Sequence, residues 1–351
     1  MTELSLCMIV KNEESVIGRC LSIAEKFADE IIVVDTGSED GTKRVCERFT
    51  DKVFDFEWID DFSAARNFAF SKATKPLVMW LDADDVVSSE NVDKILEIKS
   101  KRYDEIADTV MCKYVTARAD DGSPVFSFYR ERIMKREFNP TWEGFIHECI
   151  PPFGRVTYSD VEIDHAKLKP GNPWRNLHIY QKKLSEGAQL DSRNKLYYGR
   201  ELADNRLYSD AIHVLEDCLS SATGVTGVEA SETLSDCYSA LGKTDEAVNA
   251  LCRAFNFGAP RAETICKLAS LFAVRDDRQS AFWYQAALCC EGGLPGIFRR
   301  PECMDFVPYV ELSCCYYRLG EKERAKKYHE MAFALRPNHP SIIHNAPFFT
   351  D

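Results

Sequence analysis

Residues 77–85 read Leu-Val-Met-Trp-Leu-Asp-Ala-Asp-Asp, and no other stretch of the chain limits its folding as much. Five apolar residues are followed directly by three acids within four positions. A short apolar run bounded by polar residues predicts a buried strand. Acids at the carboxyl end of a strand stand where open α/β sheets receive their ligands. Asp82 and Asp84, two residues apart, suit a shared divalent cation. Mg²⁺ and Mn²⁺ take such oxygen ligands, often jointly with substrate phosphates. Without a cation, each carboxylate facing a diphosphate at about 4 Å meets a repulsion of roughly 4 kcal/mol at an effective dielectric of 20. The plainer alternative is that the acids only lead into a helix capped near Ser88 and Ser89.

The preceding residues predict the frame around this strand. Leu4–Val10 is a first strand, followed by a helix to about Phe27 with Val16, Ile17, Cys20, Leu21 and Ala24 on one face. Residues 31–34 form a second buried strand ending in Asp35-Thr36-Gly37-Ser38. Strand, helix and strand with short crossovers imply parallel pairing. Asp35 is placed to accept hydrogen bonds from a ribose or a base; equally, it is a turn-forming Asp in a Gly/Ser/Thr-rich loop. A short strand follows at 53–56, then a helix start at Phe62 with Arg66 in its first turns. A fixed guanidinium there reads as a phosphate or base contact. Residues 109–117 and 125–134 predict a hairpin at the edge of the sheet, turning at Asp120-Asp121-Gly122.

Four motifs in order, S-L-C-M-I-V-K-N-E (5–13), V-V-D-T-G-S-E-D-G-T (33–42), D-F-S-A-A-R-N (61–67) and W-L-D-A-D-D (80–85), resemble glycosyltransferase family 2. The resemblance implies the GT-A fold, a Rossmann-like α/β domain with a mostly parallel sheet, and inverting transfer from a nucleotide-activated sugar, with UDP-sugar expected. It places Val10, Asn12, Glu13, Asp35, Arg66 and Asp82 at the nucleotide. Asp82 and Asp84 fall to the metal–diphosphate with Mn²⁺ or Mg²⁺, and His165 to the late histidine that such enzymes add to the metal. The stretch Trp142-Glu-Gly144-Phe-Ile-His147-Glu148 is similar to one in a subgroup that includes lipopolysaccharide-core sugar transferases. The Glu-Asp pair that opens a helix in much of the family is absent. Glu148 and His147 are therefore both candidates for the base that inverting transfer requires. For Trp142 the plainer role is core packing, and for His147 and His165 a structural hydrogen bond.

From about residue 193 the period changes. Strand signals stop and helix pairs recur, anchored by Ala211, Ala247, Ala281 and Ala325 at spacings of 36, 34 and 44 residues. The first two approach the 34-residue tetratricopeptide period, and the third carries extra residues in the Gly/Pro-rich stretch 291–301. Residues 193–338 resemble four tetratricopeptide repeats, with 338–351 as a capping extension. Stacked repeats leave a concave face, read here as a peptide or protein site; the alternative is a scaffold or dimer interface. The expected domains are 1–189, ending in a linker around Pro170–Pro173 and an amphipathic helix, and an all-α domain at 190–351. A family-2 domain joined to such repeats resembles bacterial peptide S- or O-glycosyltransferases, which implies a peptide acceptor. A carbohydrate or lipid-linked acceptor is the alternative within the class. A non-catalytic repeat adaptor is the alternative outside it.

Composition narrows the partners. The formal net charge of −12 argues against nucleic acid and anionic membranes, which attract basic proteins. The densest basic run, 130–136, reads as a solvated strand or loop face. The 14 cysteines lack any Cys-x-x-Cys and fall at helical spacing among apolar residues, as at Cys237, Cys252 and Cys266. This suggests buried, reduced thiols in a cytoplasmic protein. Nothing at residues 1–11 reads as a signal peptide, and no run of 18 apolar residues predicts a membrane helix.

Overall fold

A computed structural model describes residues 1–118, 122, 124–166, 172–290 and 300–349. The expected Asp120-Asp121 turn, the Pro170-Gly171 part of the linker and most of the 291–301 insertion lie outside the described residues. Contacts divide the chain into two compact units, Met1–Lys182 and Lys183–Asp351.

In the first unit, β1 (Leu4–Val10), α1 (Ile17–Ala24), β2 (Glu30–Asp35), α2 (Thr42–Cys46), β3 (Val53–Asp55), α3 (Phe62–Ser71) and β4 (Leu77–Trp80) alternate as the sequence predicts. Strand β1 pairs in parallel with β2 and β4, and β2 with β3. These strands are near-continuous apolar runs because both faces are covered. Leu4, Leu6, Met8 and Val10 pack with Ile17, Cys20 and Leu21 of α1. Cys7 faces the other way, with Ile32, Val34, Val78 and Trp80, onto Ala69 of α3.

After β4 come β5 (Asp85–Val86), α4 (Ser89–Ser100), β6 (Thr109–Arg118), β7 (Pro124–Lys135), β8 (Val156–His165) and α5 (Arg175–Ser185). Ser88 caps α4 by accepting from Asn91 N. The strand order is β3-β2-β1-β4-β7-β6-β8-β5. The β6–β7 hairpin forms, but it lies inside the sheet rather than at its edge. Strand β7 pairs antiparallel to β4, and β6 takes β8 in parallel on its other side. The edge belongs to β5, which pairs antiparallel to β8 through Asp85↔His165. Five peptide links join the end of β4 to the start of β5 and span at most about 18 Å. The sheet therefore curls until its far edge returns to the acids.

The second unit is helical throughout its described residues. Helices α6 (Ser192–Asp204) and α7 (Tyr208–Leu219), α8 (Gly224–Ala240) and α9 (Thr244–Cys252), α10 (Ala262–Ala273) and α11 (Asp277–Ala287), and α12 (Phe306–Arg318) and α13 (Lys322–Leu335) pack as consecutive pairs. The four anchor alanines each sit in the first turns of the second helix of a pair and are buried. A larger side chain there would hold the paired helices apart. Helix α14 (Pro340–Asn345) closes the end through Ile342, packed with Phe306, Val310 and Ala332. Cys237 and Cys266 are buried as their spacing predicts, whereas Cys252 is exposed. No helix among the described residues is long and apolar enough to cross a membrane.

Candidate active site

The acids after β4 are held from beneath. Asp85 is wholly buried and accepts from Arg132 Nη1 at 3.0 Å and from the backbone N–H of Asp82 at 3.0 Å through Oδ2, and from the Tyr114 hydroxyl at 3.0 Å through Oδ1. Arg132 is equally buried, lies 3.5 Å over the Trp80 ring, and also donates to Trp80 O. With the loop pinned in this way, Asp82 and Asp84 line a cavity of about 460 Å³.

Arg66, from the second turn of α3, spans the cavity wall. Its Nη2 donates to Asp82 Oδ1 at 2.8 Å and its Nε to Glu148 Oε1 at 2.7 Å. Its guanidinium lies 4.9 Å from the Trp80 ring and 4.6 Å from Trp142. Asp61 starts this helix as an N-cap, accepting from Ala64 N, which fixes the direction in which Arg66 leaves the backbone. Burial pushes the Asp82 carboxyl up, but Arg66, then Arg132 and Arg130, outweigh it and hold it below the usual carboxylate range.

His165 ends β8. Its Nδ1 lies 2.7 Å from the Tyr114 hydroxyl, 3.4 Å from Asp84 Oδ1 and 3.8 Å from Asp85 Oδ1. Hydrogen bonding to Asp84, then to Asp85, pushes the imidazole up to about 10. Asp84, Asp85 and His165 offer ligand atoms within 4.8 Å of one another. Carboxylates with an imidazole are a donor set that fits Mn²⁺ and, less well, Mg²⁺. The grouping differs from the expected Asp82, Asp84 and His165. Asp84 and His165 do meet, but their third neighbour is Asp85, while the Asp82 carboxylate is engaged by Arg66. Asp85 is itself committed to Arg132.

Of the residues expected at the nucleotide, Val10, Glu13, Arg66 and Asp82 line the cavity, and Asn12 and Asp35 do not. Asn12 adopts a left-handed φ of 57° and joins two loops, its N–H donating to Ser38 Oγ and its Oδ1 accepting from Glu39 N. Asp35 Oδ1 accepts from Gly37 N and Ser38 N, the turn its loop composition predicts. Its Oδ2 is buried with no hydrogen-bond partner among the described residues.

The 140–150 stretch contributes both packing and lining. Trp142 is buried edge-to-face against Trp80, with centroids 4.9 Å apart, so its packing role holds. His147 and Glu148 both line the cavity. In an extended segment they would point to opposite faces. Here the only ladder contact is Glu143↔Cys149, and His147 has a φ of 51°, which turns the chain between them.

Residues 5–154 match the family model described as glycosyl transferase family 2, and residues 308–339 match a tetratricopeptide repeat. Residues 5–154 are a glycosyl transferase family 2 domain. The chain is 35% identical over 213 residues to the prophage-derived glycosyltransferase SunS of Bacillus subtilis, covering 56% of this chain and 48% of that protein. It is 45% identical over 85 residues to a TPR repeat-containing protein of Synechococcus elongatus, covering 24% of this chain and 21% of that one. Over 97 residues it is 31% identical to the lipopolysaccharide core biosynthesis glycosyltransferase LpsC of Rhizobium meliloti, covering 26% and 34%. The chain thus spans less than half the length of these relatives.

Within the family-2 domain, four site residues escaped the sequence reading. Arg130, Arg132 and Glu131 belong to the run expected to be solvated, yet Arg132 and Glu131 are buried and Arg130 lines the cavity. The available signal was the alternation in β7, which sets Arg130 and Arg132 on one face two residues apart. Tyr114 carries no comparable signal: an aromatic residue inside an apolar strand reads as core.

Proposed function

We propose that this chain is an inverting glycosyltransferase that moves a sugar from a UDP-sugar to a peptide or protein side chain. The observation that carries this reading is the convergence of Asp82, Asp84, Arg66 and His165 on one cavity of the family-2 domain. Asp84 and His165, with Asp82 beside them, would hold a divalent cation. When bound, the cation neutralises the diphosphate and stabilises it as a leaving group. Val10, Glu13 and Asp82 face the nucleotide, and Arg66 keeps a fixed positive charge beside the phosphates. The family resemblance assigns Asp35 to the ribose or base; its Oδ2 has no hydrogen-bond partner among the described residues but is buried, so contact with either requires the 35–38 turn to uncover it. The acceptor's nucleophilic atom attacks the anomeric carbon from the face opposite the nucleotide. Its proton passes to Glu148 or His147, and UDP leaves with the bonding electron pair.

The peptide acceptor rests on the repeats, which we assign to a domain at 190–351 that follows a transferase domain at 1–189 in the sequence of a cytoplasmic protein. The likeness to LpsC supports a second reading, a carbohydrate acceptor. Calorimetric titration of UDP with Mn²⁺, and again with excess chelator, tests the donor site. Binding should require the cation, and equal affinity in both titrations would remove the metal role. Incubating UDP-, GDP- and TDP-sugars with Mn²⁺ then identifies the donor by its slow hydrolysis.

The two base candidates separate by mutation. Of Glu148→Gln and His147→Ala, one should lose transfer by about a hundredfold or more while donor affinity persists. Near-normal transfer in both would place the base elsewhere. Asp85 does not inherit the role, because it is wholly buried against Arg132.

A further inference from the structure

The acid loop is held at three points. Arg132 holds the side chain of Asp85, and Arg66 holds that of Asp82. Asp84 is held by its backbone. Its carbonyl oxygen accepts from Ala166 N at 3.2 Å and from Arg19 Nη2 at 3.2 Å. The same Nη2 lies 3.5 Å from Ala166 O, so one arginine nitrogen bridges the carbonyls of two segments. We propose that Arg19 is a positioning residue: it ties the acid loop to the end of β8 and so sets the separation of Asp84 and His165 for one divalent cation. This rests on the reading of Asp84 and His165 as cation ligands and adds what brings the two together.

The two ligands need such a tie because the chain between them supplies little. They stand 81 positions apart in the sequence. Their segments meet where β5 pairs with β8, through Asp85↔His165 and Val86↔Asp164 alone. So short a pairing is marginal by itself. The Ala166 N–H extends it by one bond, and Arg19 closes it from outside the sheet. An Nη of a guanidinium carries two hydrogens, enough for both carbonyls. Arg19 can act as a fixed reference because its helix is anchored independently: Ile17, Cys20, Leu21 and Ala24 of α1 are buried. The next residue reaches the same loop, since Cys20 Sγ donates to Asp82 O at 3.6 Å. Both bonds of Arg19 go to carbonyl oxygens, so its part is geometric. Its charge acts the other way, because a guanidinium repels a cation bound nearby.

These opposite signs make the test sharp. Mn²⁺ alone is the probe, added to the full chain and followed by loss of the free-ion signal in electron paramagnetic resonance. Arg19→Met keeps an apolar stem and removes both the donor and the charge. It should weaken Mn²⁺ binding about tenfold or more. The melt in chelator should not change, because the side chain is exposed. Unchanged binding would overturn the proposal. Tighter binding would overturn it too, since that is the result if only the charge matters. Loss of the cooperative melt would show Arg19 to be a structural residue, and the proposal would fall. A second readout follows the ligands themselves. Labelling the histidine rings with ¹⁵N changes the Mn²⁺ spin-echo modulation only where a histidine is bound. The wild-type chain should show this change, and Arg19→Met at matched Mn²⁺ occupancy should show it reduced. Equal modulation in the two chains would overturn the proposal. A wild-type chain that takes up no Mn²⁺, or takes it up without histidine modulation, would overturn the ligand reading and this one with it.

Discussion

Asp84→Asn should lower sugar transfer by about a hundredfold or more, the scale on which loss of one charge-stabilising group acts, and leave the thermal melt nearly unchanged. Asp84 lines the cavity, and its carboxylate faces His165 Nδ1 at 3.4 Å. The amide keeps the shape of the carboxylate but loses the charge that a cation needs. The cost to folding should be modest, because the pair is only partly buried, with the His165 and Asp84 side chains 30% and 16% exposed, and the amide can still accept from the imidazole. Transfer assays at saturating Mn²⁺, paired with melts in chelator, separate the two effects. A variant that loses its cooperative melt without metal would show Asp84 to be a structural residue. A variant that transfers normally would remove it from the site. Asp82→Asn makes a useful contrast: it also frees Nη2 of Arg66, so its donor affinity should fall as well.

The largest effect on stability should come from Arg132→Met. Both members of the Arg132–Asp85 pair are wholly buried. Removing the cation alone leaves an uncompensated carboxylate in the core, which typically costs about 3–5 kcal/mol. At roughly 2–4 °C per kcal/mol for a domain of this size, the transition of the first unit should fall by about 6–20 °C. Adding Asp85→Asn to Arg132→Met removes the stranded charge, and the double variant should recover much of the loss. Urea melts of the two single variants and the double variant measure this coupling. Additive losses would mean that the pair acts through packing against Trp80 and Tyr114 rather than through charge.

Strands and helices were legible in the first 85 residues because apolar runs, caps and turn residues agree there. The face of α1 is an example: Ile17, Cys20, Leu21 and Ala24 are its buried residues. The repeat unit was legible for a similar reason, since a small residue recurs wherever two helices approach. What the sequence concealed depends on contacts distant in the chain. The hairpin reads as an edge because nothing in its own residues reports that β8 will pair beside it. Arg132 reads as solvated because a charge is normally exposed, and only its pairing with Asp85, 47 positions earlier, reverses that. The candidate metal ligands were half legible for the same reason. Asp82 and Asp84 are marked by their spacing, but which of them meets His165 is decided by the curl of the sheet.

That curl also separates what is inherited as a family from what can fold. The family-2 match stops at residue 154, two residues before β8 begins. A chain cut there would hold every matched motif, yet it would expose the β6 edge that β8 covers and leave β5 with nothing to pair. An open apolar edge of that kind recruits other chains. During synthesis the acids therefore wait some 80 residues, from Asp85 to His165, before the strand that completes them has been made. Ribosome-bound intermediates shorter than this carry the motif without its pocket.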